Sequence, residues 1–174
     1  ISRINTKGLN VENWAFDVLP THELLTLPSQ VNYVGSAHNL FAAGYKLSGS
    51  INVINNWLQT TYLWEKVRVQ GGAYGGFSVF DPITGIFDFL SYRDPNCQKT
   101  LDTYAQTGNY LEGLEISRSE LEKTIIGTIG DIDAYLLPDA KGWQNLSRHL
   151  INMTDEMRQQ RRDEIFATSI EEFH

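Results

Sequence analysis

Apolar and polar positions change their spacing several times along this chain, and each change marks an element. Gln30-Val-Asn-Tyr-Val-Gly-Ser-Ala37 sets Val31 and Tyr33 on one face of a β-branched and aromatic run, which predicts a strand. Ser48-Gly-Ser50 offers a helix start. From Ile51 onward Ile54, Leu58 and Tyr62, flanked by Trp57, Thr61 and Trp64, follow the helical period of an amphipathic segment. That helix is expected to run to about Arg68 and to stop at Gly71, a natural residue for a C-terminal cap. The period then drops to two. Residues 74–80 and 85–92 read as strands, and Asp81-Pro-Ile-Thr-Gly85 between them carries the turn chemistry of a hairpin.

The remainder is helical in pattern. Arg93-Asp-Pro-Asn96 ends the second strand of the hairpin, and Asp94 or Asn96 is placed to cap a helix over residues 97–110. Ser117-Arg-Ser-Glu120 is a capping box, with Ile116 and Leu121 at the positions of a hydrophobic staple. The helix it opens carries Leu121, Ile125, Ile129 and Ile132 on one face. Gly127 and Gly130 each weaken it by up to about 1 kcal/mol relative to alanine; they are expected to mark close packing on the sheet. Pro138-Asp139 opens a helix bearing Trp143, Leu146 and Leu150. Thr154-Asp-Glu opens another, charged over residues 158–164 and apolar at Met157, Ile165 and Phe166; Ser169-Ile-Glu-Glu172 looks like one more start. Near the N-terminus only a weak alternation over residues 13–19 is visible, and Pro20 and Pro28 exclude a long helix across residues 21–27. This order predicts an α+β fold, with helices packed on one face of a mostly antiparallel sheet.

At 174 residues, without repeats or a Ser/Pro linker, the chain is read as a single domain over 1–174. Its 41% hydrophobic and 20% charged content is that of a soluble globular protein, and no apolar run approaches a membrane span. A net charge of −7 argues against a nucleic-acid surface, which needs clustered Lys and Arg. The first residues lack the charged start and apolar core of a signal peptide. One cysteine, Cys97, cannot form an internal disulfide, which suits a reducing compartment. A start without methionine and an end at the opening of an element are read as marks of a segment from a longer protein.

Few groups carry chemistry. His22-Glu23 is not followed by the second histidine of H-E-x-x-H, H-x-x-E-H is absent, and His38, His149 and His174 are scattered, so no metal site is expected. Cys97 has no evident histidine partner. Gly71-Gly-Ala-Tyr-Gly-Gly76 matches neither a dinucleotide fingerprint nor a P-loop, and lies after a helix and before a strand, the reverse of a phosphate cradle. Arg68 and Tyr74 flank these glycines. One reading makes them a helix-terminal cation and a half-buried strand tyrosine. The other brings guanidinium and phenol together at the sheet edge to hold a substrate carbonyl and its developing oxyanion.

Leu63-Trp-Glu-Lys-Val-Arg-Val-Gln-Gly-Gly-Ala-Tyr-Gly-Gly76 and Phe89-Leu-Ser-Tyr-Arg-Asp-Pro-Asn96 resemble the presequence-peptidase branch of the pitrilysin/insulinase metallopeptidases. So do Ile125-Ile-Gly-Thr-Ile-Gly-Asp-Ile-Asp133 and Leu137-Pro-Asp-Ala-Lys-Gly142. The resemblance runs from about Gln30 to the end and is to the C-terminal catalytic-chamber domain. It implies a metallohydrolase-type two-layer sandwich and a zinc metalloendopeptidase that degrades short unstructured peptides such as cleaved targeting presequences. It also implies that zinc sits on ligands outside this chain, in the N-terminal half of the same polypeptide, so that this segment alone is inactive. Arg68 and Tyr74 match the family's substrate-contacting arginine and tyrosine, with Gly71 and Gly72 beside the peptide. The expected partners are an unstructured peptide and that N-terminal half, with no nucleic acid and no membrane. The expected compartment is the cytoplasm of a bacterium, or the mitochondrial matrix or plastid stroma of a eukaryote. A related fold serving as a non-catalytic structural subunit is the alternative; self-association through an exposed chamber face is a further one.

Overall fold

The computed structural model describes residues 21–174; the alternation over residues 13–19 and the break at Pro20 lie outside the described residues. Three antiparallel strands, β1 (Asn32–Asn39), β2 (Gly75–Phe80) and β3 (Ile86–Asp94), form a sheet in the order β1-β3-β2. The hairpin turn is the predicted one. The Asp81 carboxylate accepts from the Ile83 amide at 2.9 Å and from the Thr84 hydroxyl at 2.6 Å. Side chains alternate across the pleat. Val34, Phe87 and Phe89 enter the core, whereas Phe77 and Leu90, directly paired across β2 and β3, stand on the outer face. On β1 the core residue is Val34, and Tyr33, one position earlier in the pleat, is on the outer face and exposed.

The long helix departs from the expected period. α1 (Ser50–Trp57) is followed without interruption by a π-helical segment, Leu58–Val69, whose pairing ends with the Gln70 amide donating to the Glu65 carbonyl at 2.9 Å. Its buried side chains are Leu58, Tyr62, Leu63 and Val67, which step by four and five residues. Trp64, which the shorter period places near the buried stripe, is exposed instead. Changing from four-back to five-back pairing disturbs the carbonyl ladder at the junction. Two threonines respond: the Thr60 hydroxyl donates to the Asn56 carbonyl at 2.8 Å and the Thr61 hydroxyl to the Trp57 carbonyl at 2.6 Å.

This helix separates two cores. On its sheet side, Leu58, Tyr62, Leu63 and Val67 meet Val34, Phe87, Phe89 and Tyr104. Burial pushes the Tyr104 phenol up to about 12. On the other side, Val53 and Trp57 meet Ile116, Leu121, Ile165 and Phe173, while Ile54, Tyr110 and Leu111 touch both groups. The helix expected over residues 97–110 is two pieces, α2 (Gln98–Ala105) and α3 (Thr107–Glu112). α4 (Arg118–Ile132) begins at the predicted box, the Ser117 amide donating to Glu120 Oε2 at 2.9 Å and the Glu120 amide to Ser117 Oγ at 3.3 Å. α5 (Pro138–Leu150), α6 (Asp155–Ala167) and a 3₁₀ turn (Ile170–Phe173) follow.

α4 and α6 pack on α1, so the helices form two tiers behind one face of the sheet. The expectation that Gly127 and Gly130 seat α4 on the sheet therefore fails. A Cβ at Gly130 would meet nothing within 4 Å, and one at Gly127 would meet only the Asn56 amide nitrogen at 3.8 Å. Of the predicted apolar face of α4, Leu121 is buried, Ile125 and Ile129 pack against the second core, and Ile132 is half exposed. The stripe of α5 is outside altogether: Trp143 and Leu150 are exposed, and no residue of that helix is buried.

Candidate functional site

The glycine turn is a helix ending built on two glycines that are needed for different reasons. Past Val69 the chain turns back so that the Gly72 amide donates to the Arg68 carbonyl at 2.9 Å and the Ala73 amide to the Val67 carbonyl at 3.1 Å. Gly72 takes φ +81°, a left-handed conformation that costs other L-residues roughly 1–2 kcal/mol. Gly71 has a different reason to be glycine. A Cβ there would lie 2.4 Å from the Val67 carbonyl oxygen. The cap predicted at Gly71 is thus shared: Gln70 closes the helix, Gly71 permits the close approach and Gly72 supplies the reversal.

The turn is gripped from β3. Asn96 Nδ2 donates to the Gly71 carbonyl at 2.6 Å, and a Cβ on Gly72 would lie 3.5 Å from Pro95 Cγ. Asn96 is held in turn by Asp94, whose fully buried carboxylate accepts from the Asn96 amide at 2.8 Å and from the Thr100 hydroxyl at 2.7 Å. Arg93, at φ +48°, makes the sharp exit that puts these groups under the turn. Neither Asp94 nor Asn96 caps α2 as predicted; Cys97 occupies the N-cap without a side-chain bond, and the two polar groups are used inward. Sequence reasoning missed this support. Its signal was present, since Asp and Asn after a strand are residues whose side chains bond backbone two positions on, and the Pro between them fixes φ.

Arg68 and Tyr74 stand at the two ends of the turn. The Arg68 guanidinium lies over the Trp64 ring, 4.1 Å from its centroid. Tyr74 begins the return: its amide donates to the Tyr92 carbonyl at 3.0 Å and the residue is 66% exposed. Among the described residues neither side chain is engaged in a hydrogen bond or ion pair, so guanidinium and phenol are both available for another molecule. The outer sheet face beside them is aromatic. Tyr92 packs edge-on against Tyr74 at 5.7 Å and against Tyr33 at 5.4 Å, with Phe77 and Leu90 exposed next to them.

Other candidates stay apart. His38 Nε2 is 3.0 Å from Ser36 Oγ, His174 Nδ1 is 3.1 Å from the Leu111 carbonyl, and His22 and Glu23 are exposed. Among the described residues no three His, Cys, Asp or Glu side chains gather as a metal would require.

A helix-backed antiparallel sheet, with a glycine turn presenting a cation and a phenol at its margin, defines an α+β fold. Residues 22–174 match the family model described as the PreP C-terminal domain, and the chain belongs to that family. It is 55% identical over 152 residues to presequence protease 1, chloroplastic/mitochondrial, of Arabidopsis thaliana, an alignment that covers 87% of this chain and 14% of that protein. Identity is 37% over 171 residues to protein HypA of Clostridium perfringens, covering 98% and 18% of the two chains. Mitochondrial presequence protease of Saccharomyces cerevisiae is 31% identical over 154 residues, covering 88% and 15%. The chain therefore spans less than one fifth of the length of each of these relatives.

Proposed function

We propose that this chain is the C-terminal segment of a zinc metalloendopeptidase that degrades short unstructured peptides such as cleaved targeting presequences. The observation that carries the reading is the clamped glycine turn, which holds an exposed phenol and an exposed guanidinium, neither with a hydrogen-bond or ion-pair partner among the described residues. Tyr74 donates its hydroxyl proton in a hydrogen bond to the scissile carbonyl as negative charge develops there. Arg68, steadied on Trp64, donates to a neighbouring peptide carbonyl and fixes the register of the bound chain. Gly71 and Gly72 lie beside the bound peptide as the turn that sets the two groups in place. A preorganised donor of this kind contributes roughly 3 kcal/mol to the transition state and far less to the ground state.

Zinc and its activated water belong, in this reading, to the rest of the polypeptide, and the isolated segment has no peptidase activity. The relatives' names support a plastid or mitochondrial site in a eukaryote; for a bacterium the proposed site is the cytoplasm. No described helix is long and apolar enough to cross a membrane. The test is Tyr74→Phe in the full-length polypeptide. Turnover is expected to fall about a hundredfold, the loss of one such donor, with the unfolding midpoint unchanged. Unaltered turnover rejects the role.

A further inference from the structure

An exposed tyrosine is a poor catalyst unless something fixes its direction. Two-thirds of the Tyr74 surface is open, and its backbone position alone leaves the ring free to choose among staggered wells. The lateral support is Tyr92. Its carbonyl accepts the Tyr74 amide at 3.0 Å, and its ring meets the Tyr74 ring edge-on at 5.7 Å and 75°. Tyr92 is itself wedged. Tyr33 closes on it from β1 at 5.4 Å and 74°, and the Arg93 guanidinium lies 5.6 Å from its centroid. Arg93 takes that place through the φ +48° exit by which Asp94 and Asn96 reach under the glycine turn. One stretch of β3 thus fixes both the backbone of the turn and the ring that emerges from it.

We propose that Tyr92 is a positioning residue for Tyr74, acting through its ring and its wedge of Tyr33 and Arg93 to set the line along which the Tyr74 hydroxyl meets substrate. This rests on the reading of Tyr74 as the substrate-contacting phenol. It requires the ring of Tyr92 and not its hydroxyl, so the roles of ring and hydroxyl separate under substitution.

The experiment measures kcat and KM in the full-length polypeptide for Tyr92→Leu, Tyr92→Phe, Tyr74→Phe and the Tyr92→Leu, Tyr74→Phe double variant. Tyr92→Leu is expected to lower kcat about tenfold with little change in KM, since a small misplacement of a reacting group is costly. Tyr92→Phe is expected to stay within about twofold of the parent, and Tyr92→Leu to cost nothing more once Tyr74 is Phe, as for residues acting as a unit. A silent Tyr74→Phe removes the functional reading and this proposal with it. An impaired Tyr74→Phe with a silent Tyr92→Leu overturns the proposal alone. So does equal loss in Leu and Phe, or an additive double variant. Should Tyr92→Leu fail to fold, Tyr33→Leu removes the wedge instead; it is expected to lower kcat severalfold only when Tyr74 is present, and unchanged turnover overturns the proposal.

Discussion

Gly71 and Gly72 show two different reasons for one residue type. The first lacks room and the second needs a left-handed backbone. Gly72→Ala is expected to destabilise the chain by about 1–2 kcal/mol, the cost of alanine in that conformation. Gly71→Ala is expected to cost more, because the Val67 carbonyl must give way along with the bond it accepts from Ala73. Urea midpoints of the two variants check the order. Asp94 is the polar counterpart. Asp94→Ala leaves the Asn96 amide and the Thr100 hydroxyl without their acceptor, and a loss of about 2–3 kcal/mol is expected in the same measurement. At this scale Arg68, Tyr74 and the two glycines were legible from sequence, since a cation and a phenol around paired glycines are visible in the string itself. Asp94 and Asn96 were visible only as turn residues. Which way their side chains point depends on the φ of Arg93, and no local pattern in the sequence reports that.

At the scale of elements, caps and turns were readable and packing partners were not. The Ser117 box, the Thr154 cap and the residue 81–85 turn are local, so their chemistry lies within a few positions of chain. The placement of α4 is non-local. Its glycines suggested a sheet beneath, yet the α1 helix occupies that place and leaves both glycines open. Gly130→Ala is accordingly expected to stabilise the chain by about 0.5–1 kcal/mol, the conformational entropy of glycine in an unobstructed helix. A lower urea midpoint would mean that the site is crowded after all. The long helix was misjudged for a related reason. A 3.6-residue template accounts for Ile54 and Leu58 but sets Leu58 and Val67 on opposite sides of the helix, although both are almost fully buried. Steps of four and five carry the π period, and a template of one spacing overlooks it.

Across the whole molecule, burial of phenols sets an alkaline limit. Tyr104, on the buried face of α2, is stacked on Phe89 at 5.2 Å, and its ionisation is pushed up to about 12 from about 10. Burial likewise raises Tyr62 and Tyr45. The neutral form is the one the fold favours, so this contribution is fully present below the unfolded value. It is lost as pH rises through the folded one. Thermal unfolding midpoints are expected to decline between about pH 10 and 12, and Tyr104→Phe to flatten that decline. An identical decline in the variant would assign the effect to other groups.

Pairing five residues back also changes how the chain bears a change in length. In an α-helix, one residue added or removed swings everything beyond it by about 100° around the axis. A π turn is an α turn holding one residue more, so a deletion within Leu58–Val69 is absorbed by local return to four-back pairing. The segment carries slack ahead of Arg68. Length can vary there while the glycine turn and the two groups it presents keep their places on the sheet.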